Sequence, residues 1–94
     1  QDGMFVIIAL VDQKTGKLKK SPDLISRGFV YLKENQELLR QVRMMIKKGV
    51  EDVTAKTTIV DFDVIKANLG ENISKFLYQK TGKRPLVIPV ILNV

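Results

Sequence analysis

The sequence predicts an α+β fold, a two-layer domain in which a three-stranded mixed sheet packs under two helices, in the order β-β-α-α-β. Three observations predict it. Two apolar stretches near the ends, Met4 to Val11 and Leu86 to Val94, are rich in strand-forming residues. Two stretches between them repeat apolar residues at helical spacing. Polar, glycine- and proline-bearing tracts separate these segments at short intervals. Ninety-four residues make one domain, 1–94, with a modest core that often leans on a partner.

Met4 to Val11 reads as the first strand. Its alternating sets are both apolar: Met4, Val6, Ile8 and Leu10 on one face, Phe5, Ile7, Ala9 and Val11 on the other. A strand apolar on both faces is normally covered on both. The polar tract Asp12 to Lys17 contains Gly16 and reads as a hairpin turn. Leu18 to Ile25 then returns antiparallel, and Pro22, which has no N–H, forces an edge position or a bulge. Gly28 frees the backbone beside Arg27, and Phe29 to Lys33 continues the strand or forms a short separate one.

Asn35 is an N-cap for the first helix, with Glu37 in its first turn where the helix dipole favours a negative charge. Leu39, Val42, Ile46, Val50 and Val53 form its apolar stripe, and Arg40, Arg43, Lys47 and Lys48 lie off it. Gly49 is a weak point inside it. Thr54 to Val60 reads as a β-branched linker. Asp61 caps the second helix, whose stripe is Phe62, Ile65, Leu69, Ile73, Phe76 and Leu77. Gly70 inside that helix is a candidate for close packing. The helix frays from Tyr78 to Thr81, and Gly82 is a natural residue just past its end. In the last strand Leu86, Ile88, Val90, Leu92 and Val94 share one face, and Val87, Pro89 and Ile91 share the other. Pro89 argues for an edge or a bulge.

Two helices on one face of this sheet leave the second apolar face of its outer strands uncovered. A contiguous exposed apolar face is a docking surface. Phe5, Ile7, Val87 and Ile91 are taken as the candidate docking face, packed against another domain or a second copy of the chain. The alternative is that the sheet twists and the loop from Asp12 to Arg27 covers it.

Composition narrows the function. Hydrophobic residues at 45% with charged residues at 28% exclude a disordered chain. The longest apolar run, Met4 to Val11, is too short to span a bilayer, so no membrane partner is expected. There is no cysteine, which excludes a disulfide framework and fits a reducing, cytoplasmic location. There is no histidine either, so the usual zinc ligands and general base are missing and no cofactor is expected in this chain. Asp61 and Asp63 are the close acidic pair that a carboxylate–metal hydrolase would need, and helix capping explains them better. The chain opens Gln1-Asp2-Gly3 without an initiator methionine, which suggests a domain of a longer protein.

Two blocks carry a resemblance. Ser21-Pro22-Asp23-Leu24-Ile25-Ser26-Arg27-Gly28-Phe29-Val30-Tyr31 and the run from Phe76 to Ile91, through Thr81-Gly82-Lys83-Arg84-Pro85, match in kind and order the C-terminal domain of bacterial ribonuclease J. Asp2-Gly3 before an apolar strand resembles the point where that family's linker enters this domain. The resemblance covers nearly all of the chain apart from Glu51 to Val60. It implies a parent enzyme with a metallo-β-lactamase domain and an inserted β-CASP domain. Those domains carry two zinc ions on His/Asp motifs and cleave RNA from the 5′ end or internally. It further implies that this domain is catalytically silent and supports assembly, with its own catalytic domains, a second copy or a paralogous subunit as partners.

Net charge is +6, from 16 Lys/Arg against 10 Asp/Glu. That favours a polyanion, chiefly RNA or DNA, and a solvated basic surface is the competing explanation. The candidate RNA-contacting residues are Arg40, Arg43 and Lys47 on the first helix, and Lys80, Lys83 and Arg84 ahead of the last strand. Lys17, Lys19 and Lys20 in the hairpin form a third group. A stand-alone RNA-binding module is therefore the alternative function. Arg27 and Gly28 are read as a structural turn, with Arg27 clamping backbone carbonyls or Asp23. Contact of Arg27 with a catalytic domain or RNA is the other reading.

Overall fold

Met4–Val11 forms β1, the middle strand of a three-stranded sheet in the order β2-β1-β3. The computed structural model describes residues 2–29, 35–55 and 61–94. Strand β2 (Asp23–Arg27) pairs antiparallel with β1, and β3 (Leu86–Asn93) pairs parallel with it. Helices α1 (Gln36–Ala55) and α2 (Phe62–Thr81) lie between β2 and β3 in the chain. A parallel return needs a long crossover, and the two helices supply it. The architecture is the α+β one that the sequence predicts.

The turn after β1 forms for local reasons. The Asp12 carboxylate accepts from the N–H groups of Lys14 at 2.8 Å and Thr15 at 3.1 Å. Those bonds, with the Thr15 bond the larger cause, hold the Asp12 carboxyl below the usual carboxylate range. Leu18 bridges Val11, yet β2 begins only at Asp23, not at Leu18 as the apolar run suggests. Leu18 faces Val11 whereas Asp23 faces Ile8, so five steps along one strand oppose three along the other. The two surplus residues are a bulge just before β2, where Pro22 cannot donate to a ladder. Pro89 likewise sits on an edge strand.

Phe29 is buried and lies outside any strand. The strand expected over Phe29 to Lys33 otherwise falls outside the described residues, as does most of the linker expected over Thr54 to Val60. Thr54 itself is still in α1.

Both helix starts are capped as the sequence implies. The Asn35 side chain accepts from the Leu38 N–H at 3.0 Å, and Asp61 accepts from the Asp63 and Val64 N–H groups at 3.0 and 3.3 Å. Gly82, at φ 73°, ends α2 and donates to the Tyr78 carbonyl at 2.8 Å, so the helix extends to Thr81. Buried residues recur every fourth position: Leu38, Val42, Ile46 and Val50 on α1, and Ile65, Leu69, Ile73 and Leu77 on α2. Leu38 therefore replaces Leu39 in the stripe, because residues four apart stack on one face. Leu39, Val53, Phe62 and Phe76 are half-buried at its margins.

The core gathers these residues with Phe5, Ile7, Ala9 and Val11 of β1, together with Phe29 and Ile91. Phe5 and Ile7 are fully buried beneath the helices, Ile91 is buried and Val87 packs against the same cluster. The set taken as the docking face is thus the inner, helix-covered face. Alternation identifies two apolar faces without saying which one the helices choose.

The helices approach each other at Gly49, where a Cβ would stand 3.0 Å from Leu69 Cδ2. At Gly70 a Cβ would meet nothing within 4 Å, so close packing is not its role. Gly70→Ala is expected to stabilise the fold by about 0.5–1 kcal/mol by removing backbone freedom from the unfolded chain. A rise in thermal midpoint checks this.

The start of the sheet closes through two glycines. Gly3, at φ 95°, accepts from the Leu86 N–H at 2.8 Å, which sets β3 beside β1. A Cβ on Gly3 would lie 2.5 Å from the Gly28 carbonyl carbon and 2.6 Å from the Arg27 oxygen. Gly3→Ala is expected to cost at least about 1–2 kcal/mol, from the positive φ and this backbone clash together. Urea unfolding of the variant measures it.

Candidate functional site

Two surfaces stand out, on opposite sides of the sheet. The first follows from strand alternation and register. Opposite the helices, β1 presents Met4, Val6, Ile8 and Leu10, all half-buried. Val6 faces Ile25 on β2 and Ile88 on β3, and Ile8 faces Val90. Leu86 and Leu92 extend the same face along β3. Ile25, Leu86 and Leu92 are 43%, 50% and 46% exposed, which leaves a contiguous apolar patch with no layer on it among the described residues.

The loop after β1 does not cover this patch. It turns toward α1, where the Thr54 hydroxyl donates to the Gly16 carbonyl at 3.3 Å and Gly16 packs against the Thr54 side chain.

The second surface is a basic groove of about 400 Å³ between that loop and α1. Lys20 comes from the loop, and Arg40, Arg43 and Lys47 come from α1. Leu18, Pro22 and Met44 give it apolar walls, and Met44 is 58% exposed. Arg40 donates to both oxygens of Glu37 at 2.6 and 2.7 Å. The Arg40 hydrogen bond, more than its charge, lowers the Glu37 pKa, and the same pair raises that of Arg40. Lys20 pairs with Asp23 at 3.5 Å. Among the described residues no carboxylate pairs with Arg43 or Lys47.

The structure therefore joins Lys20 to the Arg40, Arg43 and Lys47 candidates, a union the sequence did not suggest. Pro22, which lines the groove, was a signal of irregular backbone in that loop.

The remaining candidates do not join this groove. Lys80 lies with Glu37, Leu38 and Gln41 in a separate groove between the start of α1 and the end of α2. Lys80 also sits 5.8 Å from the centre of the Phe76 ring, and the Arg84 guanidinium stacks 4.4 Å from that of Tyr78. The Arg84 N–H donates to Asp2 at 2.8 Å, and Lys83 is exposed. Arg84 thus occupies one face of the Tyr78 ring, which is still 46% exposed. Tyr31 is outside the described residues.

Arg27 does not clamp Asp23. They are four steps apart along the strand, about 13 Å, and Asp23 is held by Lys20 instead. The turn is tied by the Ser26 hydroxyl, which donates to the Phe29 carbonyl at 3.0 Å, while Gly28 takes φ 69°. Arg27 is exposed at the end of β2.

The sequence has neither histidine nor cysteine, and among the described residues no three carboxylates cluster closely enough to hold a metal. Asp61 and Asp63 are used at the start of α2. Among the described residues no helix is long and apolar enough to cross a membrane.

Residues 1–94 match the family described as the ribonuclease J C-terminal domain. Over 94 residues the sequence is 36% identical to Ribonuclease J 2 of Staphylococcus epidermidis, 35% to Ribonuclease J 2 of Staphylococcus aureus and 32% to Ribonuclease J2 of Bacillus subtilis. Each match covers 100% of this chain and 17% of the relative's length.

Proposed function

The chain belongs to the ribonuclease J C-terminal domain family, and on that premise we propose that it is the assembly domain of a longer, zinc-dependent ribonuclease of RNA processing and decay. The observation that carries the assembly role is the open apolar face of the sheet around Val6, Ile8, Ile88 and Val90. A domain of this size leaves little of its apolar surface to waste, and a patch of this kind lowers free energy by meeting a second one. The partners are a second copy of the chain, as a homodimer or higher oligomer, a paralogous subunit, and the parent's own catalytic domains. The cytoplasm, as a reducing compartment, is the matching location.

Zinc belongs to those catalytic domains. Among the described residues no ligand set for it is grouped, so no hydrolytic step is assigned to them, and two-metal hydrolysis of RNA is placed elsewhere in the parent. Sedimentation equilibrium tests the assembly role. A dimer or larger species is the expected result, and a monomer at high concentration contradicts it.

A further inference from the structure

We propose that the basic groove between the Leu18–Pro22 loop and α1 holds the sugar-phosphate backbone of a single RNA strand, independently of base sequence. The idea rests on the reading of the parent as a ribonuclease, which makes RNA the polyanion nearest to this surface, and it adds a contact made by this domain itself.

Three features carry it. First, Arg40, Arg43 and Lys47 are three and four residues apart, so they form one stripe along α1. Seven residues of helix rise about 10 Å, roughly the length of three nucleotides of a stacked strand. Second, the charges are divided. Lys20 and Arg40 are each balanced by a carboxylate, while Arg43 and Lys47 are not paired among the described residues. Those two bring net positive charge to the groove, and Arg43 has the planar fork that suits phosphate. Third, exposed Met44 stands amid the cations and gives sugar or base edges an apolar contact. Among the described residues no aromatic ring lines the groove, so the affinity is electrostatic and sequence-tolerant. An acidic protein segment is the competing occupant. RNA is favoured because a tethered catalytic domain holds its substrate at high local concentration.

The test is fluorescence anisotropy of a labelled oligouridylate titrated with the protein over a salt series. Arg43→Glu/Lys47→Glu is compared with Lys66→Glu/Lys75→Glu, which changes net charge equally on α2. The groove variant is expected to bind at least about tenfold more weakly and to lose about 1.4 from the log–log salt slope, at 0.7 per phosphate contact. The control is expected to change the slope little. The milder Arg43→Gln/Lys47→Gln variant, with an unchanged thermal midpoint, shows that the loss is not unfolding.

Equal weakening by both charge-reversal variants overturns the groove, because a diffuse field then explains binding. Stronger binding of a polyglutamate peptide than of the oligouridylate at matched salt also overturns it, in favour of an acidic protein. No RNA binding at low salt does the same. The ribonuclease reading is judged separately, by whether the longer protein that carries this chain cleaves RNA. Cleavage with an unchanged groove variant removes the groove alone. A groove that binds within a protein that does not cleave removes the enzyme reading alone.

Discussion

Phe5→Ala is expected to destabilise the fold by about 3–5 kcal/mol, the range for truncating a buried phenylalanine. Phe5 is completely buried in the middle strand, with Ser26 opposite it on β2 and Val87 on β3. Its ring lies on the face covered by the helices, so its removal leaves a cavity in the common core. A single domain has only about 5–15 kcal/mol in total. The variant should therefore be partly unfolded at room temperature, with a urea midpoint far below that of the parent sequence. Phe5 also belongs to the set that the sequence offers as a docking face. A docking role would give another outcome: near-normal unfolding with weakened association. Urea titration at low protein concentration separates the two.

The second large effect is expected on the other side of the sheet. Ile88→Glu/Leu92→Glu places two carboxylates on the open face of β3, away from the helices. Leu92 is already substantially exposed and Ile88 half-exposed, so the fold should survive with nearly native circular dichroism. Association through this face should weaken at least about a hundredfold, because an unpaired charge buried at an interface costs several kcal/mol. Sedimentation velocity over a dilution series reads this directly. Unchanged association would show that this face is not the contact.

Much of the fold was legible because local and global signals agree. The β1 boundaries follow from one uninterrupted apolar octet. Both helix starts follow from Asn35 and Asp61, whose side chains can reach the first free N–H groups. The end of α2 follows from Gly82, which takes a left-handed conformation at no steric cost. The start of β2 was misplaced because Leu18 is apolar and does touch β1, while the bulge beyond it depends on tertiary register. Leu38 and Leu39 are adjacent leucines, and only the position of the neighbouring sheet and helix decides which one is buried.

The surfaces were less legible. Alternation says that β1 has two apolar faces, but the face the helices choose is a property of the chain's path in space. That is why Phe5, Ile7, Val87 and Ile91 turn out to be interior positions. Basic residues distant in sequence, Lys20 and Lys47, become neighbours only when the loop folds back on α1. Arg84 likewise stacks on Tyr78, a contact between residues six apart that spacing alone does not specify. Long side chains choose partners through geometry that spacing does not encode.

The central claim is that the open sheet face is covered in the assembled protein. The most direct measurement is methyl NMR with a dissolved paramagnetic probe. Ile25 and Leu92 on that face and Val64 on α2 are almost equally exposed in the chain, at 43%, 46% and 44%. Under conditions of assembly, the Ile25 and Leu92 methyls should be shielded from the probe while Val64 is still relaxed strongly. If all three methyls relax alike at every concentration, the face is open in solution and the assembly role is contradicted.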